Sequence, residues 1–418
     1  MLKGLNLQRK TWIKRSFLIV LSVIAAFGIF YLYIFFKYFV VTYITSVFFI
    51  CLCISILWVI IKCILLIFHV SVQKSKKIKY VVMGFAVVWL STETILRYSG
   101  INETYNESIG LYYISGFNHF FIPDKSDPEV LVHPANYRYV DDRKIFAYQI
   151  VSNKDGLRDK DHKPEKEEGE YRMICIGNSF TEGIGTPGDS TYPRLLEDKL
   201  RLSVNRKISV FNAGMSGSDP VFEYMLLKKR MLKYKPDLVS IGLSSSDFDL
   251  YRLRGGFERF NGDGFNYRKE PKWERLYAVS FIVRYFTNNI LGYEDFLSPE
   301  QKREEYTRAQ NDFYKCIKLF HELSIRFKFQ LLLVFINDKR GEYDPIKEKI
   351  KEEKLIPFLD MRSYMKDIEK LKENDTEQYY WRNEGHHNSK GYKLVARGIE
   401  WKLKQMGIID SLNRSSYD

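Results

Sequence analysis

Tyr171-Arg172-Met173-Ile174-Cys175-Ile176-Gly177-Asn178-Ser179-Phe180-Thr181-Glu182-Gly183 is the stretch on which the fold class of this chain turns. Residues 171–176 form a short β-rich run, Gly177 ends it, and a polar turn leads into a helix. The same texture repeats downstream. Further β runs lie at 208–211 (ending in Asn212-Ala213-Gly214), 238–243, 329–336 and 356–359, separated by helical spacing at 193–202, 221–234, 304–327 and 390–406. Strands alternating with helices imply a parallel sheet of about five strands with right-handed crossovers. Because the strands are continuous apolar runs, helices should cover both faces, giving a three-layer α/β/α domain.

The alternation breaks between Phe248 and Arg303, a segment rich in aromatics and arginines, with Gly255-Gly256 and Asn261-Gly262-Asp263-Gly264 as turn signals. It follows a strand end, on the side where open α/β sheets bind ligands. It reads as an insertion forming a lid or docking surface, or alternatively as a surface elaboration.

The N-terminal hundred residues differ in kind. They hold twelve Lys and Arg against the single acid Glu93, so they carry eleven of the net +13 charges of the 418-residue chain. The basic excess is therefore local, and a nucleic-acid partner has no support from the overall charge. Uncharged or nearly uncharged apolar runs cover residues 17–36, 39–68 and 80–96. The first two are long enough for a bilayer core, which takes about 20 residues, and the third is marginal. Lys3, Arg9, Lys10, Lys14 and Arg15 precede the first run, and Lys74, Lys76, Lys77 and Lys79 precede the third. Three spans with both clusters on the cytoplasmic side place the rest of the chain outside; if the third run only lies on the membrane, the rest is cytoplasmic. Glu93 and Lys62 fall near span ends, where they can snorkel. The expected organisation is a membrane anchor over 1–97, a loop-like linker over 98–165, the α/β domain over 166–410 with its insertion at 248–303, and a tail over 411–418.

Ser179, exposed at the sheet edge beside backbone N–H groups able to serve an oxyanion, is a candidate nucleophile. Taken alone, Gly-Asn-Ser is an ordinary strand end, so a base is required. Of seven histidines, His69 lies in an apolar run, and His119, His133, His162 and His321 stand alone. His386 and His387 instead occupy a polar loop, Asn383-Glu384-Gly385-His386-His387-Asn388-Ser389-Lys390-Gly391-Tyr392, before the last helix. An acid two residues before His386 is placed to orient the ring and stabilise an imidazolium. A metal site is disfavoured, since adjacent histidines point in different directions and no second His or Cys pair is spaced to join them.

Taken together, these blocks resemble the SGNH/GDSL hydrolase family, specifically its bacterial membrane-anchored members. Gly177-Asn178-Ser179 with Phe180-Thr181-Glu182-Gly183 resembles the nucleophile block, and Asn212-Ala213-Gly214-Met215-Ser216-Gly217 the block whose glycine lends an oxyanion N–H. Ser246-Asp247-Phe248 stands where the family has Asn-Asp, and Gly385-His386-His387-Asn388 with Gly391 resembles the catalytic-histidine block. Asn153, Gly156, Leu157 and Arg158 resemble the family's lead-in, as does 93–97 at the end of the third run. Asn178 replaces the usual Asp before the serine, and Ser246 replaces the oxyanion Asn, with Ser244, Ser245 or a donor from the insertion as stand-ins. The acid corresponds to Asn383 in many members and to Glu384 in others; only Glu384 carries the required charge.

The resemblance implies acyl transfer through a serine ester, with Ser179 as nucleophile, His386 as base, Glu384 as its orienting acid, and Gly214 and Ser246 at the oxyanion. It implies no metal, nucleotide or other cofactor. The expected substrate is an O-acyl ester, O-acetyl above all, of an envelope glycan or lipid. An O-acyltransferase using the same residues, and a non-catalytic glycan-binding or interaction protein, are the alternatives.

Overall fold

The computed structural model describes residues 72–99, 122–124, 127–143, 145–260, 273, 276–277, 280–293, 297–382 and 384–414. The chain divides into two units, Met1–Gly116 with Glu270–Pro299, and Phe117–Lys269 with Glu300–Asp418.

The larger unit opens with two antiparallel hairpins. Strand β1 (Ile122–Asp124) pairs with β2 (Asp127–Val132), and β3 (Arg138–Asp142) with β4 (Ala147–Val151). This corrects the loop-like reading of 98–165 within residues 122–151; residues 100–121 lie outside the described residues. In β4, Tyr148 and Ile150 turn inward while Ala147, Gln149 and Val151 face solvent, the period-two pattern of a half-buried strand. Prolines and charges on either side masked so short an alternation. Phe146 and Ile150 cluster with Ile184, and Tyr139, Tyr148 and Trp381 pack around them.

The central sheet has five parallel strands, β5 (Tyr171–Gly177), β6 (Ile208–Gly214), β7 (Leu238–Ser244), β8 (Gln330–Asn337) and β9 (Phe358–Asp360), in the order β6-β5-β7-β8-β9. Side chains alternate between two cores. Met173 and Cys175 of β5 and Leu332 and Val334 of β8 pack with Leu196 and Leu200 of the helix Tyr192–Ser203 and Val395 and Ile399 of the helix Ser389–Gln405. Ile174 and Ile176, with Leu333 and Phe335, face the opposite core, built on Val221 and Phe222 and on Phe313, Ile317 and Phe320 of the helix Pro299–Phe327. Burial on both faces explains why these strands read as unbroken apolar runs.

After β5 the chain runs to β6 on one side of it, and after β6 it crosses to β7 on the other. The carboxyl end of β5 is thus the topological switch point, where neighbouring loops diverge and leave a crevice. Ser179 follows immediately.

The helix Asp344–Glu353 escaped sequence reading because its apolar stripe is only Ile346 and Ile350, four residues apart among charged neighbours. Phe248 and Tyr251, placed at the start of an insertion, are core residues on the helix Ser246–Arg254. At the C-terminus, Leu412 is buried on the helix Ile408–Arg414, so the expected tail is shorter than 411–418.

In the smaller unit, the helix Val72–Tyr98 carries the third apolar run. Among the described residues no helix is long and apolar enough to cross a membrane; the runs at 17–36 and 39–68 lie outside the described residues. Glu93 does not snorkel. It is buried and accepts hydrogen bonds from Ser280 Oγ (2.9 Å) and the N–H groups of Phe281 (2.7 Å) and Ile282 (3.1 Å). These donors open the helix Phe281–Tyr285, whose first N–H groups have no partner within the helix.

Candidate active site

Ser179 is the first residue of a four-residue helix, Ser179–Glu182, capped by Asn178, whose Oδ1 accepts Phe180 N–H at 3.0 Å. As the first helical residue, Ser179 has an N–H with no intrahelical acceptor. The turn is clamped from behind by the lead-in residues. Arg158, buried, donates to the carbonyls of Gly183 (2.6 Å) and Thr186 (2.7 Å), and Asn153 Oδ1 holds the N–H groups of Asp155 and Leu157, both at 3.0 Å.

The loop after β9 brings the candidate base to the candidate nucleophile. His386 Nε2 lies 2.8 Å from Ser179 Oγ, and His386 Nδ1 lies 2.7 and 2.8 Å from the two oxygens of Glu384. Glu384 Oε2 also accepts His386 N–H at 3.0 Å, and Oε1 accepts Arg143 Nη1 at 2.5 Å. Burial works against ionising Glu384, but the hydrogen bond and charge of His386, with Arg143 adding to them, hold its carboxyl below the usual range. Ser179, the expected nucleophile, is thus brought against Glu384 and His386, the expected acid and base, although His386 lies 207 residues further along the chain. Asn383, the other candidate acid, lies outside the described residues.

His387 is a different residue altogether. It is wholly buried, its Nδ1 donates to Tyr379 O (3.1 Å), and its ring stacks on Tyr380 at 4.4 Å. Burial pushes its pKa down to about 3, so it stays neutral. Gly391 is glycine because a Cβ there would sit 2.2 Å from Tyr379 O and 2.5 Å from His387 Nδ1.

Both expected oxyanion residues already hold hydrogen-bond partners. Gly214 N–H is already donated to Asn212 Oδ1 at 3.0 Å. Its lack of a side chain serves clearance, since a Cβ would come within 2.0 Å of Glu182 N. In the same loop Gly217 has an N–H for which no acceptor appears among the described residues. Ser246 Oγ lies 2.7 Å from Ser244 Oγ and accepts from Asn178 Nδ2 at 3.3 Å, within a network that continues from Asn178 Nδ2 to Ser244 Oγ (2.7 Å) and Asp247 Oδ1 (2.6 Å).

That network accounts for Asn178. Asp247 is buried, and burial, reinforced by Asp219, lifts its carboxyl well above the usual range although Tyr343 OH (2.6 Å), Ser244 N–H (2.8 Å) and Asn178 all donate to it. The amide at position 178 donates to Asp247 and Ser244 through Nδ2 while its Oδ1 caps the nucleophile helix; a carboxylate there would have no N–H to give either partner.

His133, which stands alone in the sequence, is buried against Glu182, Nε2 to Oε1 2.7 Å, and Glu182 Oε2 accepts Ser216 N–H at 2.6 Å. Burial opposes the charge of Glu182, yet His133, the Ser216 N–H and Arg158 bring its pKa down to about 2, against an ordinary 4.5. A depressed carboxyl contributes stability above its unfolded pKa that is lost as pH falls toward the folded one. Stability is therefore expected to decline from about pH 4.5 toward about 2. In urea unfolding against pH, Glu182→Gln should be less stable near neutrality and show a shallower acid decline; an unchanged slope would remove Glu182 from the account. Neither this pair nor Arg143–Glu384 left a short-range signal, because the partners are 49 and 241 residues apart.

No family model matches the chain. An uncharacterized protein of Mycoplasma pneumoniae (strain ATCC 29342 / M129 / Subtype 1) is 29% identical over 110 residues, 25% of this chain; the match covers 12% of that relative's length. Among solved structures, a GDSL-like lipase from Bacteroides thetaiotaomicron VPI-5482 is similar at 14% identity, with 59% of this chain and 93% of that chain covered and a TM-score of 0.34. The lipase Lip_vut3 from a goat rumen metagenome is similar at 13% identity, 56% and 97% coverage and a TM-score of 0.37. The psychrotrophic esterase EstA from Pseudoalteromonas sp. is similar at 15% identity, 56% and 97% coverage and a TM-score of 0.35.

Proposed function

We propose that this chain is a serine hydrolase of SGNH/GDSL type that cleaves carboxylic esters through an acyl-enzyme on Ser179. The observation that carries the reading is the unbroken line from Ser179 Oγ to His386 Nε2 (2.8 Å) and from His386 Nδ1 to the Glu384 carboxylate (2.7 Å) at the switch point of a parallel sheet. His386 takes the hydroxyl proton as Ser179 Oγ attacks the ester carbonyl carbon, and Glu384 stabilises the imidazolium that forms. The carbonyl oxygen becomes an oxyanion, received by the Ser179 N–H and a donor from the Gly214–Gly217 loop or Ser246. Collapse expels the alcohol, protonated by His386; water, activated by the same histidine, then releases the acid and restores the serine.

The substrate within this proposal is an O-acyl ester, O-acetyl in particular, of an envelope glycan or lipid. Purified full-length protein should hydrolyse p-nitrophenyl esters, fastest with the acetyl ester, and lose that turnover in Ser179→Ala. A preference for long acyl chains would overturn the acetyl assignment, and turnover indifferent to Ser179 would overturn the mechanism.

Attachment to a membrane belongs to the same proposal. It rests on residues 17–36, which carry no charge, and 39–68, which carry only Lys62, both long enough for a bilayer core. The placement of the catalytic unit outside turns on whether residues 80–96 cross as well, a run whose helix, Val72–Tyr98, falls short of the apolar length of a span. The protein is expected to stay with membranes after carbonate extraction, and its catalytic unit to be digested by protease added to intact spheroplasts. Release into the soluble fraction would overturn the anchor, and protection from protease the outside placement.

A further inference from the structure

Arg143 comes from outside the sheet and its loops, at the turn of the β3–β4 hairpin. Its N–H donates to Phe146 O (2.9 Å), its Nε to Asp141 Oδ1 (3.1 Å), and its guanidinium lies 5.8 Å from the centre of the Phe146 ring. The side chain is therefore fixed before it reaches the catalytic loop. Phe146 in turn meets Trp381 at a ring distance of 5.5 Å. Trp381 organises that loop: its N–H donates to His386 O (2.8 Å), its carbonyl accepts the N–H groups of Glu384 and Gly385 (both 3.3 Å), and its Nε1 donates to Gly185 O (2.7 Å) beyond the nucleophile helix.

We propose that Arg143 is a positioning residue for the Ser179–His386–Glu384 site, holding the Glu384 carboxylate so that its two oxygens bracket His386 Nδ1 while Nε2 faces Ser179. The inference rests on the serine-hydrolase reading. Glu384 Oε1 is shared between Arg143 Nη1 (2.5 Å) and His386 Nδ1 (2.7 Å), whereas Oε2 is held by His386 N–H (3.0 Å). Without Arg143, the described contacts of the carboxylate all come from His386 itself, a residue of the same loop, and the pair can swing together away from Ser179. A charge-assisted bond from a separately anchored hairpin removes that freedom. The hairpin thereby becomes part of the active site, although it precedes the first strand of the sheet.

Ester hydrolysis and proton NMR on full-length protein test this together. Arg143→Ala is expected to lower kcat for p-nitrophenyl acetate by about 10- to 100-fold, the size of effect that a small misplacement of a catalytic group produces, with KM nearly unchanged. Arg143→Lys, which keeps the charge, should recover part of the loss, and Arg143→Gln serves if the alanine variant does not fold. The far-downfield proton of the His386–Glu384 hydrogen bond, identified by its absence from His386→Ala, should shift or broaden in Arg143→Ala. An unchanged kcat and an unmoved proton signal would overturn the proposal. If the wild type proves inactive, the hydrolase reading fails on its own, and the NMR signal still decides whether Arg143 sets the Glu384–His386 geometry.

Discussion

Ser179→Ala is expected to reduce ester turnover by about 10⁴-fold or more, and His386→Ala by a similar factor. The 2.8 Å contact between the two side chains makes them one device: without the hydroxyl there is nothing for the imidazole to deprotonate, and without the imidazole the hydroxyl stays protonated. The losses should therefore not add. The double variant ought to retain the same residual rate as either single one, set by whatever oxyanion donors remain. Steady-state hydrolysis of p-nitrophenyl acetate by the three proteins decides it. Multiplying losses would mean that the two residues act separately, and a loss of less than about tenfold in Ser179→Ala would place the nucleophile elsewhere.

Glu384→Gln is the second large effect, with kcat expected to fall by about 10³- to 10⁴-fold while the fold is kept. The amide preserves the shape of the side chain but supplies an N–H where the carboxylate accepts. Three donors converge on Glu384, from His386 Nδ1, His386 N and Arg143 Nη1, so one amide oxygen cannot satisfy them all. The imidazole loses the partner that selects its tautomer and stabilises its charge. Circular dichroism of the variant separates this from unfolding. A near-normal kcat in a folded Glu384→Gln protein would remove Glu384 from the catalytic group.

Much of the sheet could be read along the chain because its determinants are local. A strand buried on both faces must be apolar at every position, and β5 through β8 advertise this in 171–176, 208–211, 238–243 and 329–336. The serine at the end of β5 and the histidine before the last helix were legible for the same reason, each sitting in a polar turn against an apolar background. Elements whose burial is partial were harder to see. The β3–β4 hairpin buries one narrow face, and the only apolar residues that the helix Asp344–Glu353 buries are Ile346 and Ile350.

By itself, the sequence determined the parallel sheet, the nucleophile and base positions, and the concentration of basic charge in the first hundred residues. Only the tertiary structure decided which polar groups meet. What His387 does instead follows from burial, which leaves His386 against Ser179 and its neighbour neutral beneath Tyr380. That Gly214 gives clearance, that Asn178 answers Asp247, and that Arg143 reaches Glu384 are facts about partners many residues away. Hydrophobic burial is written residue by residue, whereas a directional hydrogen bond or ion pair exists only once the fold has brought both ends together.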